Sequence, residues 1–364
     1  MAQARIIGAG HFVPGRVVTN EKIAKAIPGW TPERILEKTG IRERRFLWDF
    51  DPETGMAIAP PEDERLYPIN NSDMCEVAVR SALQMAGVGA GAIDALVMVT
   101  CTPDELNFSH DAMELHRRLG LRRDAYAFVV DDGCGGTPYV IDLVRKWLES
   151  GALRTVVVVA SAFTSPLVNR RAYTAELKPS EDAPGLSGFL SMYVFGDAAG
   201  AVVLRGDDGV NGRVLSSMAM NSHEELVFRR GGGALRHMHQ GRASDADLAF
   251  IVNGPLVARS YPKLMTECVS AVLEGARLEP EEIARFYFHQ PNRRVLDLFV
   301  SELQLERERV AVNVDRYGNT SAAGMLVLLS EDLQSGEVAF GRSPPVLLAA
   351  VGANVHGGGQ VVVL

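Results

Sequence analysis

Along the chain, short runs of Val, Ala and Ile alternate with longer segments in which apolar residues recur every three to four positions. Such runs, with little polar alternation, read as strands buried on both faces and crossed over by helices. The pattern predicts strands over 5–8, 95–100, 127–130, 155–160 and 200–204 in the first half, and over 285–289, 310–314, 346–351 and 360–364 in the second. Between them, Val140, Leu143, Val144, Trp147 and Leu148 form one helical stripe, and Val295, Leu298 and Phe299 begin another. Two similar α/β series predict an internal duplication, although no literal repeat is visible. The joint is expected in the polar, Gly-rich stretch 205–246, where RRGGGALRHMHQGRASDAD reads as a loop, so the expected halves are 1–205 and 206–364. Two further stretches, 49–68 and 169–188, are polar and broken by prolines, and read as lid or interface rather than core.

With 364 residues the chain can hold two packed domains or one duplicated one. Its 37 basic and 45 acidic residues leave a net charge of −8, which argues against a general nucleic-acid binder, since that needs a basic face. The first ten residues lack the apolar core of a signal peptide, and the later apolar runs 155–162 and 346–351 are too short to span a bilayer. No membrane association is expected. Cys75, Cys101, Cys134 and Cys268 are widely spaced, with no CxxC or Cys/His metal pattern, which fits free thiols in a reducing cytoplasm and no metal. His237 and His239, in RHMHQ, read as incidental.

Candidate chemistry centres on Cys134, in AFVVDDGCGGTPYVIDLVRKWLESG. An apolar strand ends at Val130, a Gly-flanked turn follows, and a helix starts near Gly135 with Pro138 in its first turn. A sulfur at a helix N-terminus is expected to favour thiolate, and the flanking glycines let a thioester approach the backbone. Asp131 and Asp132 work against this, because nearby carboxylates raise a thiol pKa. Cys75, Cys101 and Cys268 fall within strand or helix patterns and read as structural.

Two partners share the layout. FYFHQPNRR ends a short aromatic strand with His289, at the edge where α/β sheets bind ligands. DRYGNTSAAGMLVLL repeats the strand–turn–helix arrangement of the cysteine, with Asn319 in the corresponding place. In a duplicated fold the two turns meet, gathering Cys134, His289 and Asn319. Two neutral donors facing a thiolate suit loss of CO₂ from a malonyl thioester, where negative charge develops on the thioester oxygen.

On the segments RIIGAGHFVPGRVVTN, EKTGIRER, FVVDDGCGG, FGDAAGAVVL, FHQPN, DRYGNTSAAG and the Gly-rich C-terminal strand, the chain resembles the β-ketoacyl-acyl-carrier-protein synthase III family from end to end. The resemblance implies a thiolase fold: an α/β homodimer of duplicated halves in five layers, α-β-α-β-α. It implies that an acyl-CoA primer acylates Cys134, and that His289 and Asn319 then promote decarboxylation of malonyl-acyl carrier protein. The N–H of Cys134 and one from the 352–354 loop, taken as Ala353, would form the oxyanion hole. Phe108, in TPDELNFSHD, matches a residue that reaches into the partner subunit's acyl pocket. Asn292 matches one that contacts pantetheine or orders the site, and Arg259 and Arg294 match basic carrier-docking positions.

The chain also departs from the family. The C-terminal loop reads VGANVHGGG where a Gly-Gly-Gly run is usual. Arg34 stands where an aromatic residue stacks on the CoA adenine, with Trp30 displaced by four residues, and Lys38 holds a place that is often Arg. These departures imply a primer other than simple acetyl-CoA, and work in specialised-metabolite or dedicated acyl assembly. The charged residues of 169–188 (Arg170, Arg171, Glu176, Lys178, Glu181 and Asp182), in a stretch that should border the acyl pocket, suggest a polar, carboxylated or carrier-bound one. An acyltransferase on the same scaffold, moving the acyl group to a hydroxyl or amine, is the alternative. A non-catalytic carrier-binding scaffold would not need the triad.

Overall fold

Nine strands carry the apolar runs in the computed structural model, which describes residues 2–61, 68–174, 193–221, 224, 226–237, 244–353 and 356–364. They are β1 (Gln3–Phe12), β2 (Ala95–Thr100), β3 (Tyr126–Asp131), β4 (Thr155–Ala162), β5 (Ala198–Asp207), β6 (Arg213–Asn221), β7 (Arg285–Phe288), β8 (Val346–Val351) and β9 (His356–Val363). The main helices are α1 (Pro32–Thr39), α2 (Asn71–Ala86), α3 (His110–Leu119), α4 (Gly136–Glu149), α5 (Gly254–Ala276), α6 (Arg293–Glu302) and α7 (Gly324–Ser335).

Strand order across the sheet is β7-β8-β9-β6-β1-β5-β4-β2-β3. Outward from β1 the first half runs β5, β4, β2, β3; outward from β6 the second runs β9, β8, β7. The next place in the second half is taken by a lone parallel bridge of Val310 to Phe286. The two series join along one seam, where Arg5 faces Arg213 and the Ile6 N–H reaches the Gly212 carbonyl at 2.8 Å. Crossovers match as well: α2 follows β1 as α5 follows β6, and α4 precedes β4 as α7 precedes β8. This repeated order is the duplication that the alternating pattern implied.

Helices α4 and α7 lie in the middle, each packed on strands of both halves. Their apolar faces, with Val140, Val144, Leu148, Leu326 and Leu329, form the largest core with inward residues such as Val97, Val158 and Leu348. Helices α2 and α3 cover the outer face of the first half, and α5 and α6 that of the second. Five layers result.

One expectation needs correction. A strand over 310–314 is absent; Val310 makes one bridge and Val314–Tyr317 is a short helix. The Gln290 side chain accepts from the N–H groups of Asn313 and Val314, both at 3.0 Å, which takes those donors out of any ladder. The stretch 205–246, expected to hold the joint, also contains β6, a strand the pattern did not predict because its burial is too mixed to show a clean alternation. Most of the polar stretch 169–188, with Glu176, Lys178, Glu181 and Asp182, lies outside the described residues, as do 62–67 and His239. Among the described residues no helix is long and apolar enough to cross a membrane.

Close packing of α2 on β1 depends on glycine. A Cβ on Gly10 would lie 2.2 Å from the Ala78 carbonyl oxygen and 2.4 Å from the Ala82 nitrogen, both backbone atoms that cannot swing away. Gly10→Ala is therefore expected to destabilise the protein by about 1–3 kcal/mol through overpacking. Gly91→Ala, where an added Cβ meets nothing within 4 Å, should leave stability unchanged. Urea unfolding midpoints of the two variants check this directly.

Candidate active site

At the end of β3 the chain turns through Asp132–Gly133–Cys134–Gly135 into α4. The Asp132 carboxylate accepts the Gly133 N–H at 2.6 Å, closing the turn. Cys134 is 9% exposed, and burial pushes its thiol up to about 11. The Ser321 hydroxyl, with Oγ 3.6 Å from Sγ, pulls against that shift; the Asp132 carboxylate adds to it; the cysteine's own N–H and Asn319 offset part. A resting thiolate is therefore not what the site holds. The expectation from the helix N-terminus fails because α4 begins only at Gly136, two residues past the sulfur, and burial disfavours the charged form.

The second turn meets the first head on. The Thr137 hydroxyl, in the first turn of α4, donates to the Ala322 carbonyl at 2.7 Å, and both residues are buried. Asn319 sits just ahead, 5% exposed, its N–H bonded to the Val194 carbonyl and its own carbonyl taking the Gly196 N–H, each at 3.0 Å. Its side-chain oxygen accepts the Ser321 N–H at 2.8 Å, and Ser321 adopts a left-handed φ of 47°. Buried Asp197, in the FGDAAG segment, steadies this loop by accepting from the N–H groups of Leu47, Thr164 and Ser165.

His289 leaves the end of β7 with its N–H on the Ala349 carbonyl at 2.9 Å. It is 2% exposed, and burial pushes its imidazole down to about 3, opposed only by the backbone of Ser321. The ring is neutral at ordinary pH. Nε2 is buried without a hydrogen-bond partner among the described residues. Next to it, Gln290 pins the exit of β7 by donating to the Ala311 carbonyl at 2.7 Å. Cys134, His289 and Asn319 thus converge on Ser321, a residue the sequence reading passed over.

Cys134 and Ser321 open onto a cavity of about 810 Å³ whose wall also holds Cys101, Phe108, Asp132, Ala353 and His356. His289 and Asn319 are not on that wall. Cys101 is therefore not merely structural in position, although burial pushes its thiol up to about 12. Ala353 anchors its loop by accepting the N–H groups of Leu226 and Val227 at 3.1 and 3.3 Å. That loop crosses the cysteine turn backbone to backbone: a Cβ on Gly352 would lie 2.1 Å from the Gly135 nitrogen.

The remaining expected site residues are more scattered. Phe108 stands on the cavity lip, 87% exposed, in a run with Asn107 and Ser109 that has positive φ at all three positions. Asn292 caps α6, accepting the Val295 N–H at 2.9 Å, and does not line the cavity. Arg34 stacks its guanidinium 4.4 Å from the Trp30 ring centre, so the displaced aromatic and its replacement form one unit. Arg259 is exposed on α5, and Arg294 donates to the Glu37 carbonyl at 3.0 Å. Sequence reading missed the pair of His356 and Asp132, whose side chains are in hydrogen-bond contact; the His just ahead of the run Gly357–Gly359 and the doubled Asp were the visible signs.

Residues 128–222 match the family model for 3-oxoacyl-[acyl-carrier-protein] synthase III, and residues 273–364 match its C-terminal model. The β-ketoacyl-[acyl-carrier-protein] synthase III of Rhodospirillum centenum is 31% identical over 98% of both chains. Among solved structures, that of the synthase III from Thermus thermophilus is 28% identical with a TM-score of 0.77, covering 99% of each chain. Xanthomonas campestris OleA, at 19% identity and a TM-score of 0.79 over 100% of this chain and 99% of its own, shares the fold. With such similarity along its whole length, the chain belongs to the β-ketoacyl-acyl-carrier-protein synthase III family of thiolase-fold condensing enzymes.

Proposed function

We propose that this condensing enzyme loads an acyl group from acyl-CoA onto Cys134, decarboxylates a malonyl thioester held on an acyl carrier protein, and joins the two. The observation that carries the reading is the convergence of Cys134, His289 and Asn319 on Ser321. A buried, neutral His289 with an unpartnered Nε2 suits a hydrogen bond to the thioester oxygen, where charge appears as CO₂ leaves. The Asn319 amide would provide the second such donor. An imidazole held neutral cannot compete by ion pairing with the carboxylate that must depart.

The N–H groups of Cys134 and Ala353 would stabilise the tetrahedral intermediates at the acyl carbon. The exposure and strained backbone of Phe108 support its reaching a second subunit, which makes the working unit a homodimer. The Arg34–Trp30 stack supports an altered grip on CoA, hence a primer other than acetyl, in dedicated acyl or specialised-metabolite assembly in the cytoplasm. Asn292 would order the loop after His289 through its helix cap, and Arg259 and Arg294 would meet the acidic carrier.

Intact-mass measurements after incubation with a panel of acyl-CoAs test the first step. Cys134→Ala should take up no acyl group, while Cys101→Ala, one cavity wall away, should be labelled like the wild type. For the second step, His289→Ala and Asn319→Ala should each slow CO₂ release by about 10²–10³-fold with Cys134 loading largely retained. Equal loss in both steps would contradict that division. Because His289 stays neutral down to about pH 3, CO₂ release from preloaded enzyme should show no loss from its protonation between about pH 5 and 8. Phe108→Ala should move the kcat/KM optimum toward longer acyl groups, each added methylene gaining up to about 0.8 kcal/mol on burial.

A further inference from the structure

Acyl loading poses a proton problem that the three convergent residues do not solve. The Cys134 thiol is raised by burial, so its proton must be taken as the sulfur attacks. His289 is a poor acceptor, since burial disfavours its imidazolium. Among the described residues no carboxylate acts on its ring to compensate; the backbone of Ser321 does so only in part, and the ring's aromatic neighbour is Tyr261, 6.5 Å away.

A second histidine in the same cavity has the opposite surroundings. His356 Nε2 is in contact with the Asp132 carboxylate, and both side chains are largely shielded, 19% and 12% exposed. Asp132 lies two residues before the nucleophile and is fixed by the Gly133 N–H, so the cysteine turn itself sets the imidazole orientation. The backbone at His356 abuts the other side of that turn: a Cβ on Gly135 would lie 2.1 Å from the His356 carbonyl oxygen, which takes the Gly352 N–H at 2.9 Å. With Nε2–H donated to the carboxylate, Nδ1 presents its lone pair and makes no hydrogen bond among the described residues. The other titratable groups on the wall are Asp131, Glu105, Cys101 and Cys134, with Arg229 and Arg230 toward the glycine run 231–233, and the Tyr139 ring stands edge-on at 6.3 Å.

We propose that His356, oriented by Asp132 as its positioning residue, carries the proton of the acyl-loading half-reaction. The proposal rests on Cys134 being the acylated residue. The Cys134 S–H bond breaks as an N–H bond forms at Nδ1, and the sulfur adds to the thioester carbonyl carbon. The bond from that carbon to the CoA sulfur then breaks, and the proton passes from Nδ1 to the departing sulfur. Thiol and acyl-CoA become acyl-cysteine and free CoA thiol, with no proton or electron left over. The two histidines thus divide the reaction, His356 serving loading and His289 serving decarboxylation.

Rapid-quench loading of the full-length enzyme with one acyl-CoA, read by intact mass between about pH 6 and 9, tests this. His356→Gln is expected to slow loading by about 10²–10⁴-fold near neutral pH, the deficit narrowing as rising pH supplies thiolate directly. Asp132→Asn, nearly isosteric and with His356 still present, should give a smaller loss of the same pH shape. Once loaded at high pH, either variant should release CO₂ from a malonyl thioester at a rate close to that of loaded wild type. Loading by His356→Gln like the wild type's at every pH, or a deficit of constant size across pH in both variants, would overturn the proposal. A wild type that takes no acyl group at Cys134 overturns the condensing reading, and this one with it.

Discussion

Two helix starts buried face to face govern the site. Helices α4 and α7 occupy the layer between the sheets, and the Thr137 hydroxyl on the Ala322 carbonyl ties the turn entering one to the turn entering the other. Neither turn can move without opening the largest apolar core in the molecule. Cys134 and Asn319 are brought together by this contact rather than by any attraction of their own. His289 joins them because its strand lies beside β8 in the same duplicated order.

Burial then tunes the chemistry, and it acts on both residue types at once. Desolvation disfavours charge, so it raises the thiol of Cys134 and lowers the imidazole of His289. For an enolate-stabilising donor this is useful, because a neutral N–H remains available at working pH. For a nucleophile it is a handicap that some other group has to relieve. Buried polar groups in the surrounding scaffold carry more hydrogen bonds: Asp197 takes three backbone N–H groups, and Arg44 donates to the Tyr193 carbonyl and to Asn20, although burial still disfavours the charge on both.

Much of this was legible in the chain. The strands over 95–100 and 346–351 were evident because all six positions of each are buried, which leaves an unbroken apolar run. The Cys134, His289 and Asn319 turns could be found because glycine, proline and small residues mark them. Strand β6 was hidden by a burial pattern that mixes faces, and 310–314 looked like a strand until Gln290 claimed its donors. Ser321, and the pairing of His356 with Asp132, were missed for a different reason. Their importance lies in contacts between residues 187 and 224 positions apart, which no local periodicity encodes.

The central layer also bears on how the protein comes to exist. Each half contributes one of its two helices, so a first half synthesised alone would present α4 with one flank uncovered, the flank that Leu348 and Leu326 later occupy. Until residues beyond 324 emerge, that flank has no native partner. The protein's native pairings span most of the chain length, a topology that folds slowly and offers time for misassembly. Duplication thus gave the enzyme a site at a shared boundary, and with it a dependence on finishing the whole chain before either half is secure.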